Sequence, residues 1–92
     1  MADDNVVKEC TVRNKMGLHA RPAALIVQTA NRFPCEVVLL KDGSEVNAKS
    51  IMGVLMLAAE KGSHIHIRCE GHDADQALAE LTALVARGFE ED

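Results

Sequence analysis

Tryptophan and tyrosine are absent from this 92-residue chain, and two phenylalanines are its only aromatic residues. Hydrophobic residues nevertheless make up 48% of it, so the core they form must be aliphatic. Basic residues are outnumbered, 10 against 14 acidic, for a net charge of −4, and no Lys/Arg stripe forms. That argues against nucleic-acid binding, which needs a basic footprint. No apolar run approaches the roughly 18–20 residues of a membrane span. Met1-Ala2-Asp3-Asp4-Asn5 has none of the features of a secretory signal. A cytoplasmic protein without membrane insertion is therefore expected. Cysteine is scarce and odd in number. Cys10, Cys35 and Cys69 show no Cys-x-x-Cys spacing, and each falls beside aliphatic residues in a strand-like segment. They read as buried small hydrophobes in a reducing compartment, with a redox or metal role as the alternative. Repeats, linkers and low-complexity stretches are also missing. One domain spanning residues 1–92 is expected, with modest burial on folding.

What is present alternates strand and helix patterns. Val6–Arg13 has the period of a strand, with Val6, Cys10 and Val12 on one face. Asn14-Lys15-Met16-Gly17 is a loop, and a helix follows from about Ala20 to Asn31, with Ala23, Ile26, Val27 and Ala30 at helical spacing. After Pro34, Cys35–Lys41 is a strand, and Asp42-Gly43 turns it into a short one around Glu45–Asn47. A second helix is expected from Lys49 or Ser50 to Ala59, stopped by Lys61-Gly62, with Val54, Leu57 and Ala58 as its core positions. Ser63–Glu70 alternates most cleanly: Ile65, Ile67 and Cys69 one way, His64, His66 and Arg68 the other. The last helix starts behind Asp73, paired with Gln76 as an approximate capping box, and Gly88 ends it. Ala77, Leu78, Leu81, Leu84 and Val85 form its apolar stripe. The order is β-α-β-β-α-β-α. It implies an α+β fold, an open-faced β-sandwich in which a four-stranded antiparallel sheet carries three helices on one face.

One stretch carries chemistry. In Gly17-Leu18-His19-Ala20-Arg21-Pro22-Ala23-Ala24 an imidazole and a permanent cation meet at a helix start. Pro22 is tolerated in a first turn because its missing N–H has no intrahelical partner there. His19 falls at or near the N-cap, where free N–H groups and the helix dipole favour an anion. Arg21 can add a two-pronged contact to a phosphate. A nucleophilic ring nitrogen, an anion hole and a counter-charge are what a transient phosphohistidine needs. The same parts would also serve plain anion binding.

This stretch, together with Asn47-Ala48-Lys49-Ser50-Ile51-Met52-Gly53, resembles the HPr phosphocarriers of the bacterial phosphoenolpyruvate:sugar phosphotransferase system. The likeness runs from about Val6 to Phe89. It implies the same open-faced sandwich and a carrier rather than an enzyme, with no cofactor. His19 would take a phosphoryl group from phosphorylated enzyme I, through Nδ1 in the family, and pass it to a histidine of an enzyme IIA. Arg21 would stabilise the phosphate. Ser50 would be the regulatory serine modified by an HPr kinase/phosphorylase, where the plain reading is a helix-capping serine. Ala24, Ile51, Met52 and Leu55 would form the partner-docking patch, although Met and Leu at helical spacing also suit a core. A monomer is expected.

Two signatures are mixed. Val54–Gly62 and the ending Arg87-Gly88-Phe89-Glu90-Glu91-Asp92 look more like nitrogen-branch (NPr-type) paralogues, whereas Lys49–Gly53 looks like kinase-regulated HPr. The branch therefore stays open between sugar transport and a regulatory IIA. A phosphorylation-independent adapter is a further alternative, which His19 and Arg21 argue against as the sole role. Metal binding by His64-x-His66 with His72 nearby lacks a convincing ligand set, and no metal is expected.

Overall fold

The computed structural model describes residues 4–90. Strands β1 (Asp4–Thr11), β2 (Glu36–Lys41), β3 (Ser44–Asn47) and β4 (His64–Gly71) form one sheet. Helices α1 (Ala20–Ala30), α2 (Ile51–Met56) and α3 (Ala74–Ala86) alternate with them in the expected order, and a 3-10 turn at Gly88–Glu90 follows. The strand order is β1-β4-β2-β3, with every neighbouring pair antiparallel.

Register explains the layers. Leu39 lies opposite Ile67 on one side and Val46 on the other, and Cys69 sits between Val6 and Val37. This series faces inward, and its central members Val37, Leu39, Ile65, Ile67 and Cys69 are fully buried. A pleated strand sends the next residues the other way, so Glu9, His66, Leu40 and Glu45 line the outer face in a row. Lys8 stands in the inward series of β1 yet is exposed. A charge at that position of an edge strand hinders pairing with another chain.

The helices cover the inner face. Helix α3 packs on β1 and β4, α1 on α2 and α3, and α2 on β3. Ala23, Ile26 and Ala30 are buried at helical spacing on α1, as are Ala77, Leu81, Leu84 and Val85 on α3. Each leucine, isoleucine or valine among them taken from water contributes about 1.5–3 kcal/mol and each alanine methyl less, which is how a core without Trp or Tyr holds.

Several boundaries differ from expectation, each for a local reason. Helix α2 ends at Met56, not Ala59, because Ala58 turns left-handed at φ 55°. The reversal exposes Ala58 and buries Ala59 in its place, so Ala58 is not a core residue. Gly62, at φ 89°, sits in the next turn and donates to the Val12 carbonyl at 2.8 Å. The capping box at Asp73 does not form: Asp73 is itself left-handed at φ 65° and makes no side-chain cap. Its carboxylate lies 3.6 Å from His72 instead. Cys35 and Cys69 are buried as expected, while Cys10 on the edge strand is half-buried.

Candidate functional site

His19 is the N-cap of α1, in extended backbone at φ −80°, ψ −168°, and its side chain does not cap the helix. Its carbonyl accepts the first helical bond, from Ala23 N at 3.0 Å. The ring is therefore not spent on capping. Ala20 and Arg21 follow as the first two helical residues, and their N–H groups have no acceptor inside the helix. Pro22, the third, removes the next N–H and is itself buried. Arg21 is exposed and His19 half-exposed. The arrangement offers an imidazole, two backbone donors and a guanidinium at the positive end of a helix.

The loop before His19 is braced from three sides. Gly17 N donates to Asn14 O at 3.1 Å, closing a four-residue turn, and Asn14 Nδ2 donates to Gly17 O at 2.6 Å. Leu18 N donates to Ala59 O at 2.9 Å, tying the loop to the segment after α2. Gly17 has φ +68°, and a Cβ there would collide with the Ala59 carbonyl and the Glu60 Cα. Glycine is required at this position both by backbone sign and by space.

Ser50 is the N-cap of α2, and its Oγ accepts from Gly53 N at 3.2 Å. Around it, Lys49 Nζ donates to Phe33 O at 2.6 Å and Lys49 N to Asn47 Oδ1 at 2.9 Å. The first motif and Ser50 are not brought into one site, because Ser50 lies toward the far end of α1. Between them runs an apolar surface. Ile51 is 41% exposed and Met52 62%, with Ala24 and Leu55 half-buried. Met56 at 75% and Met16 at 69% are exposed as well, and neither stood out in the sequence. The missed signal for Met56 was its i,i+4 spacing from Met52. Asn14, too, passed in the sequence as ordinary loop. Its signal is asparagine three positions before glycine, a turn signature.

The histidine strand does not gather ligands. His64 Nδ1 lies 3.2 Å from Thr11 Oγ1 and 3.9 Å from Glu9 Oε2 on the outer face, whereas His72 follows the opposite end of β4. Among the described residues no group of three or more His, Cys, Asp and Glu could hold a metal. Burial first, then the adjoining Cys35 thiol, pushes the Cys69 thiol up to about 12, and burial also raises Cys10.

The PTS-HPr family, described as "PTS HPr component phosphorylation site", matches residues 6–87. The chain belongs to the PTS-HPr family. Within that family, the phosphocarrier protein HPr of Treponema pallidum is 49% identical over 87 residues, 95% of this chain and 99% of that one. The HPr-like protein Crh of Bacillus subtilis is 51% identical over 80 residues, 87% of this chain and 94% of that one. A crystal structure of a phosphocarrier protein HPr from Bacillus anthracis superposes with TM-score 0.84 at 54% identity. It covers 88% of this chain and 96% of that one. The open-faced sandwich with its four antiparallel strands and three helices is the fold of these relatives. Among the described residues no helix is long and apolar enough to cross a membrane.

Proposed function

We propose that this chain is a histidine phosphocarrier, taking a phosphoryl group on His19 and handing it to a second protein. The observation that carries the reading is His19 at the α1 N-cap with its ring unspent on capping, two positions before Arg21. The neutral imidazole attacks phosphorus on a donor phosphohistidine. The donor's P–N bond breaks as the His19 P–N bond forms, and the donor imidazole leaves with the electron pair. Ala20 and Arg21 N–H groups, with the guanidinium, meet the charge on the equatorial oxygens, since phosphoryl transfer is mostly positioning plus electrostatics. The second step repeats the first in the opposite sense. The chain is consumed and regenerated as a reactant, so it is a carrier and not an enzyme, and it needs no cofactor.

The donor is phosphorylated enzyme I and the acceptor a histidine of an enzyme IIA, and the carrier meets them as a cytoplasmic monomer through Ala24, Ile51, Met52 and Leu55. Exposed methionines suit a surface that must fit several partners, because the side chain adapts to each. Ser50 is a regulatory phosphorylation site for an HPr kinase/phosphorylase. A phosphate there is compatible with the helix start but brings about −2 charge to the edge of the docking surface.

Intact mass after incubation with phosphoenolpyruvate, magnesium and enzyme I tests the reading. One acid-labile phosphoryl group on the unaltered chain and none on His19→Ala is the expected result. Failure to label overturns it and favours an adapter acting through Ser50. A panel of sugar-branch and nitrogen-branch IIA proteins then assigns the acceptor.

A further inference from the structure

Asn14 is the buried polar residue of the described chain, 2% exposed, and no step of the transfer above uses it. Burying a carboxamide is costly unless its hydrogen bonds are made, so its partners are informative. One partner is the Gly17 carbonyl, to which Asn14 Nδ2 donates at 2.6 Å. That oxygen also accepts the His19 backbone N–H, at 2.9 Å. One oxygen is thus gripped from one side by Asn14 and from the other by the backbone of the reacting residue.

The surroundings leave this linkage little play. Leu18 N is tied to Ala59 O, and Gly17 is pressed against the Ala59–Glu60 backbone. Gly88 in the C-terminal turn comes close enough that a Cβ there would touch Asn14 Cβ and N at 3.9 Å. Gly88 is itself buried. In such packing the Asn14 carboxamide has a defined orientation, and it passes that orientation to the Gly17 peptide.

We infer that Asn14 is a positioning residue for His19, holding the Gly17 carbonyl and through it the direction in which the imidazole leaves the α1 N-cap. The inference rests on His19 being the phosphoryl acceptor. Its physical basis is that transfer between two proteins needs the attacking nitrogen in line with phosphorus, where a misplacement of about 1 Å costs about 10²-fold in rate. A residue serving stability alone would lower the unfolding temperature and leave the folded protein's transfer chemistry unchanged.

Two variants separate these roles. Asn14→Ala deletes the carboxamide; Asn14→Asp keeps its size but, when ionised, turns a donor into an acceptor facing the Gly17 oxygen. Phosphoryl transfer from phosphorylated enzyme I is timed at a temperature where circular dichroism shows each variant folded, and the His19 ring is titrated by NMR. The expected result is a rate lowered about tenfold or more in both variants, with a displaced His19 titration curve. Unchanged rate and titration in a folded variant overturn the inference. Should neither variant fold, the unaltered chain still decides. Phosphorylating His19 is expected to shift the Asn14 side-chain amide signals more than those of Asn31 and Asn47, and an unmoved Asn14 signal overturns the inference. A wild-type chain that takes no phosphoryl group overturns both this inference and the His19 reading. A labelled wild type beside unaffected variants overturns the role of Asn14 alone.

Discussion

At the end of α1, the Asn31 side-chain amide donates to the Lys49 carbonyl at 3.4 Å, one residue before the N-cap of α2. At the other end of the same pair, Leu18 N meets Ala59 O at 2.9 Å. These contacts run α1 and α2 antiparallel. With 11 residues in α1, His19 and Ser50 stand apart by about 16 Å of helix. A charge placed on Ser50 would therefore not touch a phosphate on His19.

Gly17→Ala should damage stability and transfer together. The left-handed backbone alone costs about 1–2 kcal/mol for a residue with a Cβ, and the new methyl must displace the Ala59 segment. Urea unfolding followed by circular dichroism measures the first effect, since the chain has no tryptophan to report by fluorescence. A Gly17→Ala protein as stable as the original would contradict the packing described for this loop.

Ser50→Ala removes the acceptor for Gly53 N and should lower stability by about 1 kcal/mol, the usual worth of a capping serine. Ser50→Asp restores an acceptor at a helix start and should recover most of that loss. Transfer through His19 should be unaffected by Ser50→Ala, because the sites lie at opposite ends of α1. A slowed rate of chemistry in that variant would mean the two ends are coupled.

Met52→Glu tests the docking face. The side chain is largely exposed, so stability should change by no more than about 0.5 kcal/mol. The apparent affinity for enzyme I, read from the concentration dependence of phosphorylation, should fall several-fold. An unaltered concentration dependence would remove Met52 from the docking face.

Alkaline stability should follow the thiols. Cys69 is raised from 9.0 to about 12 by burial and by Cys35, and Cys10 is shifted the same way. Above about pH 9 the unfolded chain sheds these protons while the folded chain keeps them, so stability falls as pH rises. The contribution is complete below about pH 9 and drains away toward about pH 12. Urea midpoints measured at about pH 8 and about pH 10 should differ less in Cys69→Ala than in the original. An equal difference would assign the alkaline loss to other groups.

Local pattern made much of this protein legible. The two-residue alternation of Ile65, Ile67 and Cys69 depends only on strand geometry, as the stripes of α1 and α3 depend only on the helical turn. His19 as N-cap followed from a glycine loop, a first-turn proline and an aliphatic run, all between Gly17 and Val27. Ser50 as a cap was equally local.

Tertiary structure decided the rest, for reasons no window of sequence contains. Helix α2 is cut short at Met56 because Ala58 must reverse so that the Ala59 carbonyl can receive the Leu18 N–H, a contact between residues 41 positions apart. Asp73 fails as a side-chain cap because the turn from β4 into α3 holds it left-handed. Asn14 looked like any loop residue until Gly88 and the Ala59 segment closed in on its turn, where its amide donates to the Gly17 carbonyl. The placement of His19 at a helix start, two positions before Arg21, was written in neighbouring residues. How rigidly they are held depends on strands and loops that meet only once the chain has folded.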